Sequence, residues 1–164
     1  MRRYSTLLLD ADDTLLDFSL AEKNAFFATM EELNFAADAA TYHRYSTIND
    51  EEWKRLERGE TTKPRLTVDR FRRFLSEFAI PADPVEVNRL YIANLSLGKE
   101  LIPGAFEFLT AAEKNFDLYL ITNGTAAVQE KRLAASDIKK FLKRYLFRKQ
   151  SAMPNPNRNT LLMF

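Results

Sequence analysis

The string LLLDADDTLLDF, Leu7 to Phe18, constrains the fold more than any other part of the chain. Ser5 to Leu9 form a short apolar run that stops at Asp10, the pattern of a buried strand. The strand delivers Asp10, Asp12, Asp13 and Thr14 into a loop. A buried strand ending in acids at a turn is a common place for a site in α/β proteins. Carboxylates at i and i+2 past a strand end can converge on one point, and two close anions repel unless a cation or a proton separates them. A hard cation with oxygen ligands, most naturally Mg2+, suits such a cluster. One carboxylate can then act as a nucleophile towards phosphorus while the other protonates the leaving oxygen. The competing reading is a set of turn and cap aspartates, which also follow strands.

A second cluster lies at LYLITNGT, Leu118 to Thr125. Leu118 to Ile121 reads as another buried strand, stopping at Thr122-Asn123-Gly124. A hydroxyl and an amide at a strand end, followed by glycine and a helix N-terminus, can bind phosphate oxygens. Alone, the same tripeptide is an ordinary turn.

Between the clusters the pattern is helical. Ser19 and Glu22 have capping-box spacing, which predicts a helix to about Leu33. A second helical stretch runs from Ala36 to about Arg58, stopped by Gly59. Others are expected over Leu66–Phe78, from Asp83 to about Leu97, from Pro103 to Lys114, and over Ala126–Ala135. A short third strand is expected within Phe141–Phe147. Few strands for so many helices implies either a separate helical cap or an incomplete sheet, and both are expected here.

Composition narrows the chemistry. The chain has 164 residues with Lys+Arg 24 against Asp+Glu 23, so no overall basic field points to nucleic acid. It has no cysteine, which excludes a disulfide framework, a thiol nucleophile and a cysteine-built zinc site. His43 is the one histidine. No apolar run approaches the roughly 20 residues of a membrane span, and the N-terminus is too short in apolar residues for a signal peptide. A cytoplasmic location and no membrane partner are the expectation.

The two clusters together resemble the haloacid dehalogenase-like phosphohydrolases. Asp10-Ala11-Asp12-Asp13-Thr14 matches that family's D-x-D-x-T motif, and Thr122 matches its second, a strand ending in Ser or Thr. The resemblance implies an α/β, Rossmann-like core with an inserted α-helical cap. It implies Asp10 as the nucleophile that forms an aspartyl-phosphate and Asp12 as general acid, then base. Mg2+ would sit on Asp10 and the Asp12 carbonyl, and Thr122 would hold the phosphoryl group, with Thr14, Asn123 and Gly124 at the substrate. The string DADDTLLDF, the stretch from Tyr45 through Asn49 and Trp53 to Gly59, Arg70-Phe71, Pro103-Gly104 and ITNG are similar to the YjjG-type pyrimidine nucleotidase (5′-nucleotidase) branch. That branch removes phosphate from nucleoside 5′-monophosphates, so the implied partner is a small phosphate ester. Asn49, Trp53 and Lys63 could then face the nucleotide. Helix surface and core packing are the alternatives for each.

The resemblance sets the division expected along the chain: 1–17 first strand and catalytic loop, 18–100 cap, 101–147 the rest of the core, 148–164 an aberrant tail. The family also carries a Lys-Pro motif and a later acidic motif, and the tail RKQSAMPNPNRNTLLMF holds neither in the expected form. A core short of its C-terminal strands and impaired in activity is therefore expected. A one-base shift near the Arg148 codon is compatible with a tail reading E-T-I-G-Y-A-K-P-K-P-E-Y-F: the G of Met153 joins Pro154 to give Ala, and the next two junctions give Lys and Pro. Two rivals remain. One is an inactive fragment with residual binding. The other is a receiver-like signalling domain, which needs a further strand where this chain reads as helix.

Overall fold

The computed structural model describes residues 4–147; the expectations for the tail lie outside the described residues. The elements run β1 (Thr6–Asp10), α1 (Phe18–Glu32), α2 (Ala39–Glu57), α3 (Lys63–Glu77), α4 (Pro84–Leu95), α5 (Ala105–Ala112), β2 (Asp117–Thr122), α6 (Ala126–Ala135), a 3-10 turn (Lys139–Phe141) and β3 (Leu142–Phe147). The strands form one 3-stranded sheet in the order β1-β2-β3, with both pairings parallel. Leu7 faces Leu118 and Asp10 faces Ile121. Parallel neighbours need a crossover: α1 to α5 make the first and α6 the second.

Helices α1, α2 and α4 start where a side chain takes free amide hydrogens. For α1 this differs from the expected Ser19–Glu22 box. Asp17 caps it by accepting from the Leu20 amide at 2.8 Å, and Asp13 Oδ1 accepts from the Phe18 and Ser19 amides at 3.0 and 3.1 Å. Two upstream aspartates thus pull the helix start back to Phe18, and Glu22 turns inward. Asp38 and Thr41 form a reciprocal capping box on α2, so it begins at Ala39 rather than Ala36. The first turn of α3 begins at Lys63-Pro64 instead of Leu66, since proline needs no amide partner there. Helix α5 is shorter than expected: Gly104 at φ 85° is its cap and leaves Pro103 outside.

Two apolar clusters result. One joins α1 to α4 through rings: Phe26 stacks on Tyr45 with centroids 4.8 Å apart, and Phe71 meets Tyr91 at 5.2 Å. Burying each such side chain contributes about 2–3 kcal/mol. The other, built on Leu15, Leu16, Leu109, Leu118, Leu120, Leu133 and Ile138, packs the helices against the sheet. The chain crosses between these clusters twice, and the crossings lie side by side. The Asp17 amide donates to the Glu100 carbonyl at 2.9 Å, the Ile102 amide to Leu15 at 3.0 Å, and Leu16 bridges Leu101 antiparallel. Gly98 closes the second crossing tightly against α1: a Cβ there would overlap the Ala21 side chain and lie 3.2 Å from its Cα.

Backbone cannot yield as a flexible side chain can, so Gly98→Ala is expected to destabilise the fold by about 1–3 kcal/mol, read as a lower urea midpoint. An unchanged midpoint would show that the crossing has slack.

Candidate active site

Asp10 and Thr122 are the last residues of β1 and β2. Since Asp10 pairs with Ile121, Thr122 stands one residue further along the neighbouring strand, and parallel neighbours lie about 4.8 Å apart. Beyond β1 the chain folds into a tight turn. The Leu15 and Leu16 amides both donate to the Ala11 carbonyl, at 3.0 and 2.9 Å, and the Asp13 amide donates to Leu16 at 2.8 Å. The turn holds Asp13 at φ 53°. Its carboxylate is spent on the start of α1, so the third acid of the cluster is structural.

Asp12 is held from α6. Arg132 Nη1 donates to its Oδ1 at 2.6 Å and Gln129 Nε2 to its Oδ2 at 2.7 Å. The Arg132 side chain is 1% exposed against 28% for Asp12. The guanidinium also donates to the Gly98 carbonyl at 2.8 Å and to Gln129 Oε1 at 3.0 Å, and lies 5.7 Å from the Phe18 ring centroid. Burial pushes the Asp12 carboxyl above the usual carboxylate range, and Arg132 and Gln129 oppose this without cancelling it. The carboxyl is thereby suited to carry a proton.

Thr122 is buried, and its Oγ1 accepts from the Gly124 amide at 3.0 Å and from Gln129 Nε2 at 2.9 Å. A hydroxyl has two lone pairs and one hydrogen. With both lone pairs used, its hydrogen is left to donate. Gly124 leaves room for this: a Cβ there would come within 2.7 Å of Gln129 Nε2.

The other sequence-predicted residues scatter around this centre. Thr14 is exposed in the turn. The Asn123 carbonyl accepts from Lys63 Nζ at 2.9 Å. Trp53, half-buried on α2, has the same Nζ 5.8 Å from its ring centroid. Asn49 is buried between α1 and α3, where it donates to Glu22 Oε1 at 2.7 Å and accepts from Arg70 Nη1 at 3.1 Å. Sequence reading missed Gln129 and Arg132. The available signal was two long polar side chains at i and i+3 on the helix that follows the second cluster.

For a divalent cation the fit is partial but of the right kind. Among the described residues nothing bonds to the Asp10 carboxylate or the Asp12 carbonyl, and both are hard oxygens. No group of three or more acidic, histidine or cysteine side chains that could hold a metal ion occurs among the described residues. The Asp12 carboxylate is turned to α6, so its backbone oxygen is the Asp12 atom that would be left to face a cation.

A parallel sheet with an acid turn after one strand, a threonine ending the next and helices between them is the frame of a hydrolase family. The family model of the haloacid dehalogenase-like hydrolases matches residues 4–162, and the chain belongs to that family. It is similar to the HAD-hydrolase YfnB of Bacillus subtilis, at 38% identity over 87% of this chain and 61% of YfnB. The magnesium-bound crystal structure of YfnB superposes with a TM-score of 0.85 at 36% identity, over 89% of this chain and 64% of that one. Pyrimidine 5′-nucleotidase PynA of Streptococcus pneumoniae is 32% identical over 94% of this chain and 65% of its own. Pyrimidine 5′-nucleotidase YjjG of Escherichia coli is 24% identical over 95% and 68%. This chain thus spans about two thirds of the length of the curated relatives it matches.

Two predictions arise from these buried polar groups. Arg132→Met leaves the Asp12 carboxylate and the Gly98 carbonyl short of their donor, and should cost about 2–4 kcal/mol in urea unfolding; Gln129→Met should cost less. The second concerns Glu22, whose carboxyl burial raises above its usual value against the opposing charge of Arg70, a bond from Tyr42 and the amide of Asn49, with Asp13 adding to the rise. The folded state then keeps this proton to higher pH than the unfolded state. Stability should fall as pH rises from about 4.5 through the raised value, and Glu22→Gln should flatten that slope in urea midpoints taken across the range.

Proposed function

We propose that this site hydrolyses a phosphate monoester, specifically a nucleoside 5′-monophosphate, through a phosphorylated Asp10. The observation that carries the reading is the juxtaposition at two adjacent strand ends. An unclaimed carboxylate, Asp10, lies beside a hydroxyl whose lone pairs are both engaged, Thr122, and a carboxyl raised by burial, Asp12. An Asp10 oxygen attacks phosphorus and the ester P–O bond breaks. Asp12 gives its proton to the departing oxygen. Thr122 donates to a phosphoryl oxygen throughout. Water then attacks the phosphorus, passing a proton to the Asp12 carboxylate, and phosphate leaves with Asp10 restored. Mg2+ on the Asp10 carboxylate and the Asp12 carbonyl would neutralise the phosphoryl charge.

The names of PynA and YjjG, both pyrimidine 5′-nucleotidases, support the nucleotide as substrate. On this reading residues 18–100 are the cap, with Trp53 offering a ring face to the base. No described helix is long and apolar enough to cross a membrane, in keeping with a cytoplasmic enzyme acting on a small molecule. The expected rate is low. Among the described residues the cations at the site are Arg132, committed to Asp12, and Lys63. The coding DNA tests the tail hypothesis: a one-base shift near the Arg148 codon should restore a Lys-Pro reading.

Residues 1–164 should release phosphate from p-nitrophenyl phosphate slowly or not at all, and any release should vanish with Asp10→Asn or on chelating Mg2+. Beryllofluoride, which mimics a carboxyl phosphate, should bind in the presence of Mg2+ by fluorine NMR and fail to bind Asp10→Asn. Brisk turnover would remove the impairment. Phosphate release or beryllofluoride binding that survives Asp10→Asn would remove the mechanism.

A further inference from the structure

Lys63 begins α3, on the helical side of the molecule, yet its Nζ reaches across to the turn that follows β2 and donates to the Asn123 carbonyl at 2.9 Å. That carbonyl lies between Thr122, whose hydroxyl has a hydrogen to give, and Gly124, whose amide already serves Thr122. Lys63 forms no ion pair among the described residues, whereas Arg44 and Arg55 of α2 and Arg72 and Arg73 of α3 do. Burial pulls its ammonium below the ordinary lysine range, and the negative charge of Asp12 partly restores it. On the other side the ammonium stands 5.8 Å from the centre of the Trp53 ring. A partly desolvated cation kept by a neutral carbonyl, within the field of the general acid and beside an aromatic face, is short of an anion.

We infer that Lys63 is the phosphate anchor supplied by the helical side, exchanging its bond to the Asn123 carbonyl for one to a phosphoryl oxygen of a nucleotide whose base lies against Trp53. The inference rests on the phosphohydrolase reading and deepens it by naming where the substrate's charge is met. The exchange has a reason in strength. An ammonium bonds more strongly to an anionic oxygen than to an amide carbonyl, and Asn123 is an exposed residue, so its carbonyl can turn to water. The free state therefore stores Lys63 at the strand-end turn in the place from which it can swing onto the ligand.

Trp53 is the one tryptophan of the chain, so its fluorescence reports this cleft without a label. The experiment titrates the 164-residue chain, in the Asp10→Asn background so that ligand is not consumed, with uridine 5′-monophosphate and separately with uridine, in the presence of Mg2+. Lys63→Met should weaken the monophosphate by about tenfold or more, the size of one charge-assisted hydrogen bond, and leave uridine unchanged. Lys63→Arg should stay within about threefold of the parent, because the charge is kept. Equal losses for both ligands would mean that Lys63 only shapes the cleft, and an unchanged monophosphate affinity would mean that it meets no phosphate. Either result overturns the inference and leaves the phosphohydrolase reading in place. If the parent binds neither ligand, that reading falls and takes the inference with it.

Discussion

The ion pair between Arg132 and Asp12 is the interaction on which the rest of this structure depends. A guanidinium that is almost wholly buried gives one bond to the carboxyl at the sheet edge and another to the carbonyl of Gly98, where the chain returns from its helical excursion. It also lies against Phe18, where that excursion begins. One side chain thus ties the acid turn after β1 to both crossings. Desolvating such a charge is costly, and the cost is tolerable only because several acceptors converge on it. The convergence forces α6 to lie close under the turn, and this in turn brings Gln129 within reach of both Asp12 and Thr122.

Much of the site could be read from residue order because strand ends are local. An apolar run that stops at an acid, or at Thr-Asn-Gly, fixes which residues stand at the carboxyl edge of a parallel sheet, and the structure puts Asp10 and Thr122 there. The hydrogen-bond partners were not legible. Gln129 and Arg132 look like any polar pair on an amphipathic helix, and only the packing of α6 decides that this face turns inward. The start of α1 misled for a similar reason. Ser19 and Glu22 have the right spacing, but two aspartates upstream compete for the same amides and win.

The helical side carries a second polar centre within its aromatic cluster. Glu22, Asn49, Arg70 and Asn88 are linked in one chain of hydrogen bonds, with Arg70 against the faces of Phe71 and Tyr91. A satisfied network of this kind fixes one packing of four helices among many that apolar residues alone would allow. It also absorbs Asn49, whose amide has both a donor and an acceptor bond inside the protein. Trp53 and Lys63 lie outside this network, with Lys63 meeting the strand-end turn.

The adjacency of the two crossings bears on the order of assembly. Strands β1 and β2 are neighbours in the sheet but lie at opposite ends of a long stretch of chain. Pairing them directly from an extended coil would carry the full entropy of closing that loop. The contacts among α1 to α4 are made within the stretch itself, and the α1–α4 pairing, marked by the Asn94 amide donating to Thr29, closes most of that loop. In the folded chain the packing of these helices sets Asp17 and Glu100, the two ends of the stretch, at bonding distance. The remaining closure is then no wider than a short turn. The packed helices thus act as a splint that holds the two ends of the sheet's long connection together.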